Sequence, residues 1–195
     1  MGSRVMALLR ASKSAPALGS TLKLVNDRPF VSNFFTYPCL EKFATAVEVL
    51  VDEFGPIPGP ILDLWDERLI PLKSNGRILK VKHAMRALSD RLDLREPDII
   101  LTLVILESAL RKDHAILKPY SVIPLLVSSV TVALKFQLDA KVNIGDIFDA
   151  IEDLFDNLDF NNFKFMESEL LVLIDWKVPM CPRIYRNYAT LLYTL

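Results

Sequence analysis

Between Lys118 and Lys135 the chain carries no charged residue, and this constrains the fold more than any other feature. The apolar members of the stretch Tyr120 to Phe136, YSVIPLLVSSVTVALKF, include Ile123, Leu125, Leu126, Val127, Val130, Val132 and Leu134. At helical spacing they fall around the whole circumference, so the segment is expected to be buried on every side. A membrane span needs roughly 20 apolar residues. This run is shorter and contains Pro124 with Ser128, Ser129 and Thr131, which makes it the central helix of an all-α domain and not a span. Pro124 is tolerated if Ser121 is the N-cap, because N–H groups of the first turn have no intrahelical partner. Ser129 and Ala133 lie i, i+4 on one face, where a second helix can approach closely. Lys135 then places a charge at the end of a helix otherwise committed to the core.

At 195 residues the chain suffices for one domain with extensions and a substantial core. The formal net charge is −1, with no basic block in the folded part, which argues against nucleic-acid binding. The hydrophobic share of 51% and mean hydropathy of +0.28 suggest that a partner covers some apolar surface. Cys39 and Cys181 match no metal-ligand spacing and make no disulfide framework, so a reducing intracellular compartment, cytoplasm or nucleus, is expected.

Residues 1–36 read as a flexible leader. The first twenty hold Arg4, Arg10 and Lys13 with no acid before Asp27, a pattern of a disordered segment or of a transit peptide. Residues 37–76 read as an N-terminal helical extension. An amphipathic helix from Tyr37 to Phe54 uses Leu40, Phe43, Ala44, Val47 and Val51, and GPIPGP stops it. A short helix, ILDLWDERLI, follows Pro60 and ends at Pro71 and the turn Ser74-Asn75-Gly76.

Residues 77–178 read as a bundle of five helices, over about Ile78–Leu92, Pro97–Arg111, the central stretch, Asn143–Leu158 and Asn162–Trp176. Residues 179–195 add a C-terminal helical segment from Pro182. The fourth helix sets Ile144, Ile147, Phe148, Ile151, Phe155 and Leu158 against an acidic face of Asp146, Asp149, Glu152, Asp153 and Asp156. That acidic run lacks the alternating carboxylates and central Gly of a calcium loop. His83 and His114 have no metal-type neighbour at i, i+4, and no phosphate-cradling glycine loop occurs. No catalytic residue, metal or cofactor is therefore expected, and the chain is not expected to be an enzyme.

The third helix ends VALKF, and FMESELLVLIDWKV follows about thirty residues later. The pair resembles a cyclin box. Ala133, Lys135 and Phe136 match the Ala-x-Lys-Phe/Tyr end of the family's third helix. Glu167, Leu170, Leu171, Ile174 and Trp176 match its fifth, in a form most similar to single-box P-type cyclins of the phosphate-pathway kind. Met85 to Leu88, MRAL, is similar to the MRAIL of mitotic cyclins. Ile105-Leu106-Glu107-Ser108 stands where the family has Tyr-Leu-Asp-Arg, and SVIPLL replaces its Asn-x-x-Arg-Leu lead-in. Ser89 and Leu92 occupy places of the family's substrate-docking patch, which is not carried over.

The resemblance implies a five-helix cyclin-box bundle that binds and activates a cyclin-dependent serine/threonine protein kinase. It implies that Lys135 and Glu167 stand together and clamp main-chain groups of the kinase's regulatory helix. Val132, Phe136, Leu171, Trp176 and Val178 would form the apolar kinase contact around them, and Arg86 with Glu107 would form a structural ion pair. A cyclin-fold transcription adaptor and a non-cyclin helical scaffold are the alternative readings.

The domain division predicts a truncation result. Deleting residues 1–30 should leave solubility and partner binding intact, whereas deletion through Leu72 should damage one of them, as judged by soluble yield and pull-down.

Overall fold

The computed structural model describes residues 39–47, 81–113, 116, 121–137, 142–155 and 158–194, and the architecture below is that of these residues. They are mostly helical, with no strand among them, so the all-α expectation holds. Residues 39–47 form α1. There follow α2 (Val81–Leu92), α3 (Glu96–Lys112), α4 (Val122–Gln137), α5 (Ile144–Ile151), α6 (Phe160–Leu173) and α7 (Pro182–Thr194). The leader, the GPIPGP stop, the short helix with Trp65, and His114 lie outside the described residues.

The central stretch folds as α4, and every residue from Val122 to Leu134 is buried. Ser121 precedes its first turn and its hydroxyl donates to the carbonyl of Ile116. Pro124 sits at the third helical position, where its missing N–H costs no hydrogen bond. Around α4 pack α3, α6, α2 and α5, and α7 lies on α3. Ser129 and Ala133 are both 0% exposed, as a close helix crossing requires. Thr131 satisfies its hydroxyl on the Val127 carbonyl at 2.9 Å. The hydroxyls of Ser128 and Ser129 are buried with no hydrogen-bond partner among the described residues. Close approach therefore favours small side chains here even at a polar cost.

α3 is nearly as deeply buried, from Asp98 through Glu107 without interruption. Its start is fixed by Asp98, whose carboxylate accepts the backbone N–H of Arg95 at 2.9 Å, with Pro97 in the first turn. α1 and α7 belong to the same core: Leu40, Phe43 and Val47 cluster with Met85, Leu106, Tyr188 and Leu192.

The fourth helix is shorter than its periodicity predicts. α5 ends at Ile151 and tightens into a 3₁₀ turn, Glu152–Leu154. The sequence stacks acids where the next turn would be, and the negative end of a helix disfavours them. Arg91 of α2 holds Asp153 at 2.5 Å and secures the turn. The start is as expected, with the Asn143 side chain accepting from the N–H of Gly145 at 3.1 Å.

α6 begins with Asp159 accepting from the Asn162 N–H at 3.4 Å and stops at Leu173, before the predicted Trp176. It is joined to α5 by Phe148, whose ring lies 5.2 Å from Phe160 and 5.8 Å from Phe163, centroid to centroid.

Because Ala133 is fully buried on α4, Ala133→Leu should overpack the helix crossing and destabilise the protein by about 1–3 kcal/mol. A urea or thermal melt coincident with that of the parent would show that this face is not at a crossing.

Candidate functional site

The buried run of α4 ends at Leu134, and Lys135 is the first side chain of its last turn to carry a charge. The last-turn carbonyls give that position a negative potential that favours a cation. On α6, Phe163, Met166 and Leu170 face the core, and Glu167 lies at the edge of their stripe, one position from Met166. Packing α6 against α4 therefore buries Glu167 to 6% exposure. A lone buried carboxylate is costly, and here Lys135 Nζ meets Glu167 Oε1 at 2.6 Å. The lysine stays 38% exposed at its side chain, so the pair is sealed on the glutamate side and open on the lysine side.

Other expected contact residues divide into two groups. Phe136, beside Lys135, is 49% exposed, and Trp176 is 67% exposed. Leu171, one helical turn beyond Glu167, and Val178 are half-buried. Val132, by contrast, is 4% exposed and belongs to the core of α4, so it is packing and not contact surface. Its place follows from burial of α4 on all sides up to Leu134.

A Schellman motif brings Leu171 and Trp176 together. The Trp176 N–H donates to the Leu171 carbonyl at 2.7 Å and the Asp175 N–H to the Val172 carbonyl at 3.0 Å. Asp175 and Trp176 both adopt positive φ, 55° and 56°. Asp175 also forms an ion pair with Lys112 at the end of α3. Neither Lys112 nor Asp175 stood out by sequence reasoning. An Asp standing where a helix end favours Gly is the signal that was available. Phe165 and Val172 were also missed. They are 52% and 56% exposed and lie seven residues apart on one stripe of α6.

The expected Arg86–Glu107 pair is not formed. Arg86 instead pairs through Nη2 with Glu41 of α1, which Lys82 also reaches at 3.1 Å. Glu107 pairs with Arg111 at 2.5 Å, one turn ahead on its own helix. The reason is local: docking α1 beside α2 presents Glu41 to Lys82 and Arg86, and an i, i+4 arginine reaches Glu107 without leaving α3. Burial pushes the Glu107 carboxyl up, against the opposing pull of Arg111.

Among the described residues no group of three or more His, Cys, Asp or Glu side chains could hold a metal ion. Cys39 and Cys181 are free, and burial pushes the Cys39 thiol up to about 12, leaving it protonated and unreactive at neutral pH. No helix of the described residues is long and apolar enough to cross a membrane. Comparisons with family models, curated proteins and solved structures return no match.

The Glu107 environment sets a pH dependence. A carboxyl whose folded value is raised above the ordinary 4.5 binds its proton more tightly when folded, so its contribution to stability falls as pH rises through that window. Glu107→Gln removes the dependence. Its urea midpoint should equal or exceed that of the parent at pH 7, and the difference should shrink as pH is lowered toward 4.5. A difference that widens on acidification would contradict the assignment.

Proposed function

We propose that this chain is a cyclin-like regulatory subunit, nearest to the P-type cyclins, that binds and activates a cyclin-dependent serine/threonine protein kinase. The observation that supports it most is the Lys135–Glu167 pair at 2.6 Å, with the exposed Phe136 next to Lys135 in the chain and the exposed Trp176 just past the end of α6. An ammonium has three donors, and a carboxylate has a second oxygen, so the pair has capacity beyond its own contact. Lys135 donates to carbonyls of the kinase's regulatory helix while Glu167 accepts from amides. Phe136, Leu171, Trp176 and Val178 supply the apolar contact around this polar centre, in the pattern of aromatic anchors beside a desolvated charge.

Activation is then a population shift. The kinase alone keeps its regulatory helix displaced, the subunit binds the inward arrangement better, and the kinase's own Lys–Glu pair is completed for ATP. Chemistry resides in the kinase. Such a subunit works in the cytoplasm or nucleus and needs no cofactor, nucleic acid or membrane.

Charge-assisted hydrogen bonds to a partner backbone are worth roughly 1.5–3 kcal/mol each, about ten- to a hundredfold in affinity. Lys135→Ala and Glu167→Gln should therefore keep helical circular dichroism and cooperative melts yet lose kinase capture and activation. Glutamine is used at 167 because alanine would leave a gap beside the core. If both variants recover and activate the kinase as well as the parent does, this surface is not the kinase interface.

A further inference from the structure

We propose that Lys112 and Asp175 are positioning residues that hold Trp176 as a preformed aromatic anchor for the protein partner. The proposal rests on reading the Lys135–Glu167 face as a partner surface, and it adds a regulating element outside that face.

The end of α6 breaks three local preferences at one turn. The residue after the C-cap is usually Gly, because it must adopt positive φ, yet Asp175 stands there at 55°. The next residue, Trp176, also takes positive φ at 56°, where a bulky aromatic is a genuine outlier. An acid at a helix C-terminus also meets the negative end of the dipole.

The end of α2 provides an internal comparison. There Asp93 has φ 48°, and the Leu94 N–H donates back to the Ser89 carbonyl at 3.3 Å, the same motif. Leu94 is 3% exposed, so the motif's apolar residue is buried in the core in the usual way. In α6 the residue at that position is Trp176, and it is 67% exposed. Burial in the protein's own core therefore cannot offset the strain at Trp176.

What holds the turn is polar. The N–H groups of Asp175, Trp176 and Lys177 donate to Val172, Leu171 and Ile174 at 3.0, 2.7 and 3.1 Å. Across the surface Lys112, in the last turn of α3, pairs with the Asp175 carboxylate and holds that carboxyl below the ordinary range. The ion pair is exposed on both sides, so it contributes little to global stability. Its effect is on where Asp175 and the adjoining indole point. A side chain fixed before binding loses less freedom on binding, which is worth about two- to tenfold in affinity.

Two measurements test this on the full chain. The sequence has two tryptophans, so in a Trp65→Phe background the emission reports Trp176 alone. Time-resolved fluorescence anisotropy of the free protein should show a larger local amplitude of motion in Lys112→Met and in Asp175→Asn. Asparagine tolerates positive φ, so Asp175→Asn removes the charge without adding backbone strain. Unchanged anisotropy in both single variants overturns the proposal. In kinase capture, Lys112→Met should bind about two- to tenfold more weakly through faster dissociation, with an unchanged melting temperature. A loosened indole with parental capture also overturns the positioning role. If the parent captures no kinase, the reading of the partner fails instead, and the anisotropy alone decides whether Lys112 holds the turn.

Discussion

Burial of α4 on every side is the constraint from which the rest of the structure follows. A helix surrounded in this way needs a neighbour on each flank, and α2, α3, α5 and α6 supply them. The close crossing at Ser129 and Ala133 leaves the hydroxyls of Ser128 and Ser129 without partners among the described residues, so the helix contributes packing at the expense of hydrogen bonding. Its polar capacity is displaced to the end. Lys135 lies just beyond the last buried residue, and the same packing that buries α4 draws Glu167 inward on α6. The ion pair is thus the meeting point of two demands: an apolar run that stops, and an acid that cannot be left buried alone.

Elements set by long apolar periodicity were legible in the sequence. The central helix, the second and fifth helices and the acidic outer face of α5 all follow from residue type and spacing. Less legible were places where two elements compete for one residue. The pairing of Arg86 with Glu41 depends on α1 docking beside α2, which no local pattern encodes. Glu107 was settled by Arg111 on the same helix, a pair that i, i+4 spacing does advertise and that similarity to another motif obscured.

The candidate site shows the same division. Nearness of Lys135 and Glu167 came from resemblance and not from spacing, because sequence alone does not say which face of α6 meets which end of α4. Periodicity carried the fifth helix through Trp176, since Ile174 and Trp176 continue a hydrophobic pattern. The backbone left the helix after Leu173 instead, and with no glycine present Asp175 was the one mark of the exit. Val132 illustrates the opposite error. Its position in a motif suggested surface, while its place in the all-round apolar run already required burial.

α1 and α7 are tied together at one corner. The hydroxyls of Tyr185 and Tyr193 donate to the Glu96 carboxylate at 3.3 and 2.5 Å, and Lys42 donates to the Tyr193 carbonyl at 2.9 Å, a separation of 151 residues. Loop closure over that distance must be met before the contact returns any energy, so the order of assembly is set by topology. The local pairings α3–α4 and α5–α6 are expected to nucleate, and the Glu96 corner to close late. Interactions formed after the folding barrier govern the rate of unfolding more than that of folding. The tyrosine corner is accordingly expected to act on kinetic lifetime, slowing the opening of the assembled domain more than it speeds its formation.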